Sequence, residues 1–330
     1  MGPGEKRLQT TENVFIVEED KLEYVTDVMS AKVEGRSIVT LGKFDGLHRG
    51  HQKLFHRLER MKQEHGYKTV AFTFSSALLF WKFGEQFKCI LEKEERRRMF
   101  AELGVDMVVE CPFSEEIRSM DAEVFVRKIL VGQLHAACIV IGKDFRFGHN
   151  RKGDYRLLQQ LSESCDFELQ MIDEVFDNDI RISSSAIRTA IAQGRMEDAN
   201  RMLGYSFSVE GTILNGQHLG RTIDMPTINL IPSANKLLPP FGVYASITEM
   251  DGQLWKGVTN IGRKPTVGEY AVGVETHLLH TSGNFYGKFA RVRLIHFQRP
   301  EQKFSSVYIL KEQMHKDARD AEKYLAKINN

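Results

Sequence analysis

The hydrophobic pattern of this chain changes near Gly204. Before that point, short apolar runs such as Ser37–Leu41 alternate with segments whose apolar residues recur at helical spacing, as in Gly50–His65. After it, apolar and polar residues alternate strictly, as in Phe207–Leu214 and Ala290–Phe297. Strands that alternate with helices indicate a parallel sheet covered on both faces, whereas period-two alternation indicates antiparallel strands. We therefore predict an α/β doubly wound domain followed by an all-β closed barrel.

Local patterns define the individual elements. The dipeptide Asp251-Gly252 predicts a hairpin turn, because both residues tolerate positive φ. The tail Ser305–Ile328 has its apolar residues near one face and predicts one C-terminal helix. A chain of 330 residues has room for two domains. The predicted boundaries are 1–185, a helical linker at 186–205, and 206–330. The strands predicted in the first domain are Ser37–Leu41, Thr69–Phe74, Val105–Cys111, Ala136–Ile141 and Phe167–Ile172.

Composition excludes several classes of function. Lysines and arginines number 45 against 44 acidic residues, which gives no basis for a nucleic-acid or membrane partner. The four cysteines have neither metal-ligand nor redox-motif spacing, so we expect small, partly buried residues in a reducing compartment. No apolar run is long enough to cross a bilayer, and the acidic N-terminus has no signal-peptide core. We expect a cytoplasmic protein, and the oligomeric state stays open.

The most informative loop follows the strand Ser37–Leu41. It reads Gly-Lys-Phe-Asp-Gly-Leu-His-Arg-Gly-His over residues 42–51 and opens a helix. Glycines permit close backbone approach to a ligand, and a helix N-terminus favours phosphate. His48 and His51 can both donate to an α-phosphate on which negative charge develops during nucleotidyl transfer. The alternative is a glycine-rich loop with two surface histidines. The candidate ATP-contacting residues in this loop are Gly42, Phe44, Asp45, Gly46 and Gly50.

A second phosphate-binding candidate lies at Ile182–Arg188. Ser183, Ser184 and Ser185 open a helix, and Arg188 follows about one turn later. A helix cap explains one serine, whereas three hydroxyls with an arginine also form a phosphate clamp. On these residues alone, the two interpretations are equally good.

The second half carries its own candidate site. The loop Gly216–Arg221 can close over nucleotide phosphates, with Gly216, Gly220 and Arg221 as the contacting residues. Thr227 and Asn229 alternate on one face of a strand and can meet one Mg²⁺–phosphate group. Two polar side chains on an exposed strand face are the alternative for this segment taken alone.

These motifs occur in the order of a known family. The His-x-Gly-His loop and the later Ile-Ser-Ser-Ser-Ala-Ile-Arg segment resemble the nucleotidyltransferase superfamily. The stretch Gly142–Gly148 is similar to the flavin-side loop of the bacterial bifunctional riboflavin kinase/FMN adenylyltransferase family (prokaryotic FAD synthetase). Pro240–Ala245, Asn260–Thr266 and Val274–Leu279 follow in the order of the riboflavin kinase module. The resemblance spans roughly residues 36–317.

The resemblance implies a Rossmann-like adenylyltransferase domain and a riboflavin kinase-like barrel. ATP would phosphorylate riboflavin to FMN, and a second ATP would adenylylate FMN to FAD with release of pyrophosphate. Mg²⁺ would assist both steps, and ATP, riboflavin, FMN and FAD would be the small-molecule ligands. Glu275 would be the general base of the kinase, and His48, His51 and Arg188 would serve adenylyl transfer. The implied flavin contacts are Asp144, Phe145, Phe147 and Gly148.

The chain departs from the family after Phe74. The family usually carries Asp-Pro-His-Pro there, and this chain has Ser75-Ser76-Ala77-Leu78. Two alternatives to the bifunctional enzyme therefore stay open. One is a monofunctional riboflavin kinase with a weakened first domain, and the other is a non-catalytic flavin-binding regulator. Intact Thr227, Asn229 and Glu275 argue against the regulator.

Overall fold

The structure is a computed structural model that describes residues 22–75, 84, 87–112, 114–214, 225–263, 272–281 and 283–328. The strands are β1 Glu23–Val25, β2 Ser37–Leu41, β3 Lys68–Phe74, β4 Met107–Cys111, β5 Ala136–Gly142, β6 Glu168–Ile172, β7 Phe176–Asp177, β8 Ile180–Arg181, β9 Ser208–Thr212, β10 Thr227–Leu230, β11 Gly242–Met250, β12 Gln253–Arg263, β13 Val272–Leu278 and β14 Phe289–Pro300. The helices are α1 Arg49–His65, α2 Lys93–Glu102, α3 Glu115–Ser119, α4 Ala122–Phe125, α5 Tyr155–Ser164, α6 Ser184–Ala192, α7 Met196–Leu203 and α8 Val307–Ile328.

The first domain is built on a parallel sheet with strand order β1-β4-β3-β2-β5-β6. Successive residues of one strand enter different apolar clusters: Val39 belongs to one and Ile38 to the other. This separation follows from the period-two geometry of a strand and confirms a sheet covered on both faces. The strand order reverses between β2 and β5. In sheets of this kind, ligands bind beyond the carboxyl ends of the strands at such a reversal.

The second domain is an antiparallel sheet with strand order β10-β13-β12-β11-β14-β9. The two outer strands meet through an isolated bridge between Leu214 and Asn229, where the Leu214 N–H donates to the Asn229 carbonyl at 2.9 Å. This bridge brings the two edges of the sheet together at one point and gives the sheet the shape of a partly closed barrel. The turn between β11 and β12 has φ of 49° at Asp251 and 72° at Gly252, as the hairpin signal predicts.

Helices join and cover the two sheets. The linker helices α6 and α7 pack into the apolar cluster that fills the barrel, through residues such as Ile187 and Leu203. The C-terminal helix α8 packs over β11 and β14 by burying Ala321 and Leu325 against Ala245 and Ile295. The predicted C-terminal helix is confirmed, with α8 beginning two residues after the predicted start, and the linker region contains the two helices α6 and α7. Among the described residues, no helix combines the length and apolar character needed to cross a bilayer.

Some elements escaped the sequence analysis. Strand β1 has three residues, and the β7–β8 hairpin has two residues on each side. Such short strands carry too few residues for a periodic signal. The short helix α4 continues directly into a π-helical turn over Val126–Val131. The cysteines are free, and burial raises the pKa of the Cys111 and Cys138 thiols to about 12.

Candidate functional site

The loop after β2 lies at the point where the strand order reverses. Its backbone is tightly turned, with positive φ at Phe44, Gly46 and Leu47. A Cβ at Gly42 would lie 2.7 Å from the Phe44 ring, so a larger residue there would displace that ring. Phe44 itself is fully buried against Phe55 and Phe100. The buried ring anchors the loop and holds its glycine backbone at the open end of the sheet.

The two histidines of the loop form one stacked unit at the start of α1. Their ring centroids lie 3.7 Å apart with the planes inclined by 19°. His48 is the N-cap, and its Nδ1 accepts from the His51 backbone N–H at 3.4 Å, which places the proton of a neutral His48 ring on Nε2. A Cβ at Gly50 would lie 3.1 Å from the His48 ring, so the glycine makes room for the stack.

Both rings are neutral at physiological pH. Burial lowers the pKa of His48 to about 4, and weaker effects of Asp144 and Arg181 oppose each other. Burial and then the neighbouring His48 hold the pKa of His51 well below its usual range. His51 Nδ1 is shielded from solvent and has no hydrogen-bond partner in the described part of the chain. A buried polar atom without a partner is costly, so this nitrogen is suited to contact a ligand.

Arg188 is tied to the same loop through Asp45. The Arg188 Nη2 donates to Asp45 Oδ2 at 2.5 Å, and its Nη1 donates to the Lys88 carbonyl at 2.6 Å. The other Asp45 oxygen accepts from the Ile90 N–H at 3.1 Å. The sequence predicts Asp45 as an ATP-contacting residue, but both of its carboxylate oxygens accept hydrogen bonds from protein donors. A carboxylate would also repel a phosphate, and here it orients an arginine instead.

The three serines before Arg188 differ in their surroundings. Ser183 caps α6 by accepting from the Ala186 N–H at 3.2 Å, and Ser184 donates to the Asp45 carbonyl at 2.8 Å. Ser185 is exposed. Capping therefore accounts for one hydroxyl, and a second one fastens α6 to the loop after β2. The exposed Ser185 hydroxyl and the N-terminus of α6 are what this helix offers a ligand.

The loop after β5 lies beside this unit, because β5 is the neighbour of β2 across the reversal. Asp144 is exposed and forms an ion pair with Arg181. Phe145 is half-buried and lies parallel to Phe147, with ring centroids 5.9 Å apart. Phe147 is buried against Phe125, so it belongs to the core. Of the three predicted flavin-contacting side chains, Asp144 and Phe145 are therefore the accessible ones.

Gly148 is needed for packing in that loop. Its φ is 71° and its ψ is 179°, a region that is almost restricted to glycine. A Cβ there would lie 2.5 Å from Ala122 Cβ. The structure thus places Gly148 where the loop passes over the start of α4, and it positions Phe145 and Phe147 through the backbone.

A second group of polar side chains lies on the barrel. Asn229 and Glu275 are cross-strand partners on β10 and β13, and Thr227 lies two residues before Asn229 on the same face. Thr227 Oγ1 donates to Glu275 Oε1 at 2.6 Å. His277 Nδ1 lies 3.0 Å from the Pro226 carbonyl, and burial lowers its pKa. The predicted loop residues Gly216, Gly220 and Arg221 lie outside the described residues, as do Lys264–Thr266 of the next motif.

This group suits a magnesium ion. Within the described residues there is no cluster of three His, Cys, Asp or Glu side chains that would form an all-protein metal site. Thr227 and Asn229 instead bring a hydroxyl and an amide oxygen to one face of β10, beside the Glu275 carboxylate. Mg²⁺ prefers a few protein oxygens supplemented by water and phosphate oxygens. The donor set therefore fits that ion when it arrives with a nucleotide.

Comparison with known proteins also divides the chain into two parts. A family model for FAD synthetase matches residues 30–186, and one for riboflavin kinase matches residues 203–325. The bifunctional riboflavin kinase/FMN adenylyltransferase of Buchnera aphidicola is 33% identical over 89% of this chain and 95% of its own length. This chain belongs to the bifunctional riboflavin kinase/FMN adenylyltransferase family. The Escherichia coli member is 32% identical over 91% of this chain and 96% of its own.

The family likeness extends to three dimensions. A crystal structure from Streptococcus pneumoniae, described as a macrolide-efflux protein, superimposes with a TM-score of 0.81 and 28% identity. It covers 90% of this chain and 97% of that one. The likeness therefore includes the FAD synthetase domain, the riboflavin kinase domain and the way they are joined.

Sequence reasoning missed several residues that hold the FAD synthetase loop in place. The Tyr205 hydroxyl donates to the Gly46 carbonyl at 2.6 Å. Gln52 Nε2 donates to the carbonyls of Leu47 and Leu203, at 2.8 Å in both cases. The contacts of Tyr205 and Leu203 join the linker to the loop after β2 and to the start of α1. No local pattern signals these two contacts, because each one joins segments that are far apart in the chain.

Proposed function

We propose that this chain makes FAD from riboflavin in two steps. Its riboflavin kinase domain transfers the γ-phosphate of ATP to riboflavin, and its FAD synthetase domain joins FMN to AMP from a second ATP. The observation that supports this most directly is the presence of both family models, in order, with both polar groups described above. We also propose domain boundaries at 1–185 and 206–330, which the matched ranges 30–186 and 203–325 support. We propose that the protein acts in the cytoplasm.

In the kinase step, Glu275 is the general base. The terminal ribityl hydroxyl attacks the γ-phosphorus, the bond to the β-phosphate oxygen breaks, and ADP leaves. Glu275 orients the hydroxyl and accepts its proton as the new P–O bond forms. Thr227 and Asn229 would hold Mg²⁺, which would neutralise charge on the β- and γ-phosphates. The hydrogen bond from Thr227 to Glu275 supports this arrangement, because it ties the base to the residue at the metal.

In the adenylyl step, an oxygen of the FMN phosphate attacks the α-phosphorus of ATP. The bond between the α-phosphorus and the bridging oxygen breaks, and pyrophosphate leaves. Neutral His48 and His51 would donate hydrogen bonds to the α-phosphate oxygens as charge builds on them. Arg188 would supply positive charge to the departing phosphates from a position held by Asp45. Asp144 and Phe145 lie in the loop after β5, where we propose that the flavin binds.

The alternatives stay less favoured. A monofunctional kinase or a non-catalytic regulator would not be expected to match both family models and to align along nearly its whole length with bifunctional relatives. Incubation with riboflavin and Mg-ATP, followed by chromatography of the flavins, separates the three. FAD supports the bifunctional enzyme, FMN alone supports the kinase, and unchanged riboflavin supports the regulator.

A further inference from the structure

Residues 87–92, which we call the crossing segment, contact both domains through their backbone. On the side of the FAD synthetase domain, the Ile90 N–H donates to Asp45 Oδ1 at 3.1 Å, and the Lys88 carbonyl accepts from Arg188 at 2.6 Å. On the side of the kinase domain, the Cys89 N–H donates to the Asn235 carbonyl at 2.6 Å. The crossing segment is thus hydrogen-bonded to the adenylyl-transfer site and to a loop of the barrel at the same time.

Lys236 of the kinase domain holds the middle of the crossing segment. Its Nζ donates to the Ile90 carbonyl at 3.0 Å and to both Glu95 carboxylate oxygens at 2.6 Å. Its side chain is 0% exposed. An ammonium group has three donors, and these three acceptors account for them. Glu95 compensates the charge of Lys236, and the third hydrogen bond of the ammonium group goes to the Ile90 carbonyl.

Stability alone gives little reason for this pair. Buried ion pairs are often replaced by apolar residues of similar volume without loss of stability, because removing two charges from water is costly. What an apolar pair could not supply is the directional bond to the Ile90 carbonyl. Lys236 therefore fixes the position of the crossing segment, in addition to joining the domains.

Ile90 connects Lys236 to the adenylyl-transfer site through its backbone. Its carbonyl accepts from Lys236, and its N–H donates to Asp45, which in turn holds Arg188. Its side chain also lies against the loop after β2, since a Cβ at Gly46 would be 3.1 Å from Ile90 Cδ1. A displacement of Ile90 would consequently move Asp45 and the Arg188 guanidinium. Lys236 itself lies in the loop that follows β10, the strand that carries the proposed magnesium ligands.

We propose that Lys236 is a positioning residue for adenylyl transfer, acting through Ile90 and Asp45 on Arg188. The adenylyl-transfer site in the first domain is then complete only when the kinase domain is docked against it. This inference rests on the proposed function of the first domain. Another ion pair, between Arg98 and Glu210, also joins the domains, but it does not contact the crossing segment. It offers a matched control.

The test uses the full-length chain and the double variant Lys236→Met/Glu95→Gln. Glutamine at 95 retains the side-chain acceptor of the capping box at the start of α2, and no buried carboxylate is left unpaired. Lys236→Leu/Glu95→Gln is the second variant and also lacks a donor for the Ile90 carbonyl. With FMN and Mg-ATP supplied, we expect kcat for FAD formation to fall about 10- to 100-fold, because small misplacements of a catalytic group have effects of this size.

The other readouts separate positioning from damage. Riboflavin phosphorylation and the melting temperature should stay near the parental values, and Arg98→Met should leave both activities unchanged. In an Arg188→Lys background, the double substitution should cause little further loss, because both changes affect the same guanidinium. Unchanged FAD formation, equal loss of both activities, or full additivity with Arg188→Lys would overturn the positioning role. A parental enzyme that makes no FAD from FMN would instead overturn the proposed function.

Discussion

The residues that carry the proposed chemistry are mostly held by neighbours from other segments. His48 is buried and stacked on His51, and Arg188 is held by Asp45. Glu275 receives a hydrogen bond from Thr227 on the adjacent strand. Groups fixed in this way need little rearrangement when a substrate binds, which is the basis of electrostatic preorganisation. Three predictions follow from single side chains.

Removal of the His51 ring should slow the adenylyl step selectively. His51→Ala eliminates a donor that acts mainly on the transition state, so kcat for FAD formation from FMN should fall about 10²–10³-fold. Riboflavin phosphorylation should persist, because Glu275 lies in the other domain. His56→Ala, an exposed histidine on the same helix, is the control and should change neither rate. Equal loss of both activities in His51→Ala would contradict the assignment.

Glu275→Gln should have the opposite selectivity. The substitution keeps the size of the side chain and removes its ability to accept a proton, so riboflavin phosphorylation should fall about 10²–10⁴-fold. Riboflavin affinity should change little, and FAD formation from supplied FMN should continue at the parental rate. Asp251→Asn, in the exposed turn after β11, serves as a control. Normal riboflavin phosphorylation in Glu275→Gln would remove Glu275 from the mechanism.

The buried histidine should also make stability depend on pH. The folded-state pKa of His48 is lowered to about 4, so the unfolded chain binds the extra proton first as pH falls below about 6.5. The neutral His48 contributes stability that is fully present above that pH and is lost towards pH 4. The resulting loss in the free energy of unfolding is about 2 kcal/mol between pH 7 and pH 5. In His48→Asn, urea unfolding of the first domain should show a correspondingly smaller loss over this interval. An identical pH dependence would argue against a neutral, buried His48.

At the scale of elements, the loop after β5 depends on how closely it passes α4. Its two phenylalanines lie on either side of the boundary between core and surface, since Phe147 is buried and Phe145 is half-buried. Gly148 makes this possible, because a Cβ there would overlap Ala122. The packing of one helix N-terminus therefore decides which aromatic ring of the loop can reach a ligand.

Gly148→Ala should destabilise the first domain by more than backbone strain alone. Gly66 has the same φ of 71°, but a Cβ there would meet nothing within 4 Å. Gly66→Ala should therefore cost only the left-handed conformation, about 1 kcal/mol. Gly148→Ala should cost about 2–4 kcal/mol, because its ψ of 179° is tolerated less well than the ψ of 14° at Gly66 and because overlap with Ala122 adds to the strain. Chemical denaturation of the two variants measures the difference, and equal costs would show that the loop simply moves away from α4.

At the scale of the whole molecule, two catalytic domains share one chain, and their contact reaches the adenylyl-transfer site. The crossing segment, the Tyr205 hydroxyl and the linker helices all touch the loop after β2 or its partners. The two domains nevertheless keep separate polar groups, so their rates can differ. The sequence departure around Ala77 bears on that difference.

FMN should accumulate before FAD when riboflavin and Mg-ATP are supplied together. By the resemblance, Ala77 stands where the family carries a histidine. Ala77 lies outside the described residues, and we expect the adenylyl step to be slower than the kinase step. A time course at saturating riboflavin, with flavins separated by chromatography, measures the order of appearance. FAD that rises without an FMN phase would refute the expectation.

Much of the architecture is encoded locally. Apolar periodicity determined the types of the elements, because the side-chain spacing of a helix or strand is a property of consecutive residues. The order of the motifs determined the family and the candidate residues from His48 to Glu275. The positions of Thr227 and Asn229 on one face followed from strand geometry alone, and the register with Glu275 agrees with it.

Other features exist only in the tertiary structure. Asp45 turned out to hold Arg188, and Phe147 and Gly148 serve packing, because burial and long-range hydrogen bonds decide these roles. The lowered pKa values of His48 and His51 have the same origin, since desolvation depends on everything that surrounds a ring. Ile90 and Lys236 carry no motif, yet they meet across 146 positions of the chain. A contact of that separation depends on how two domains dock, which no local pattern specifies.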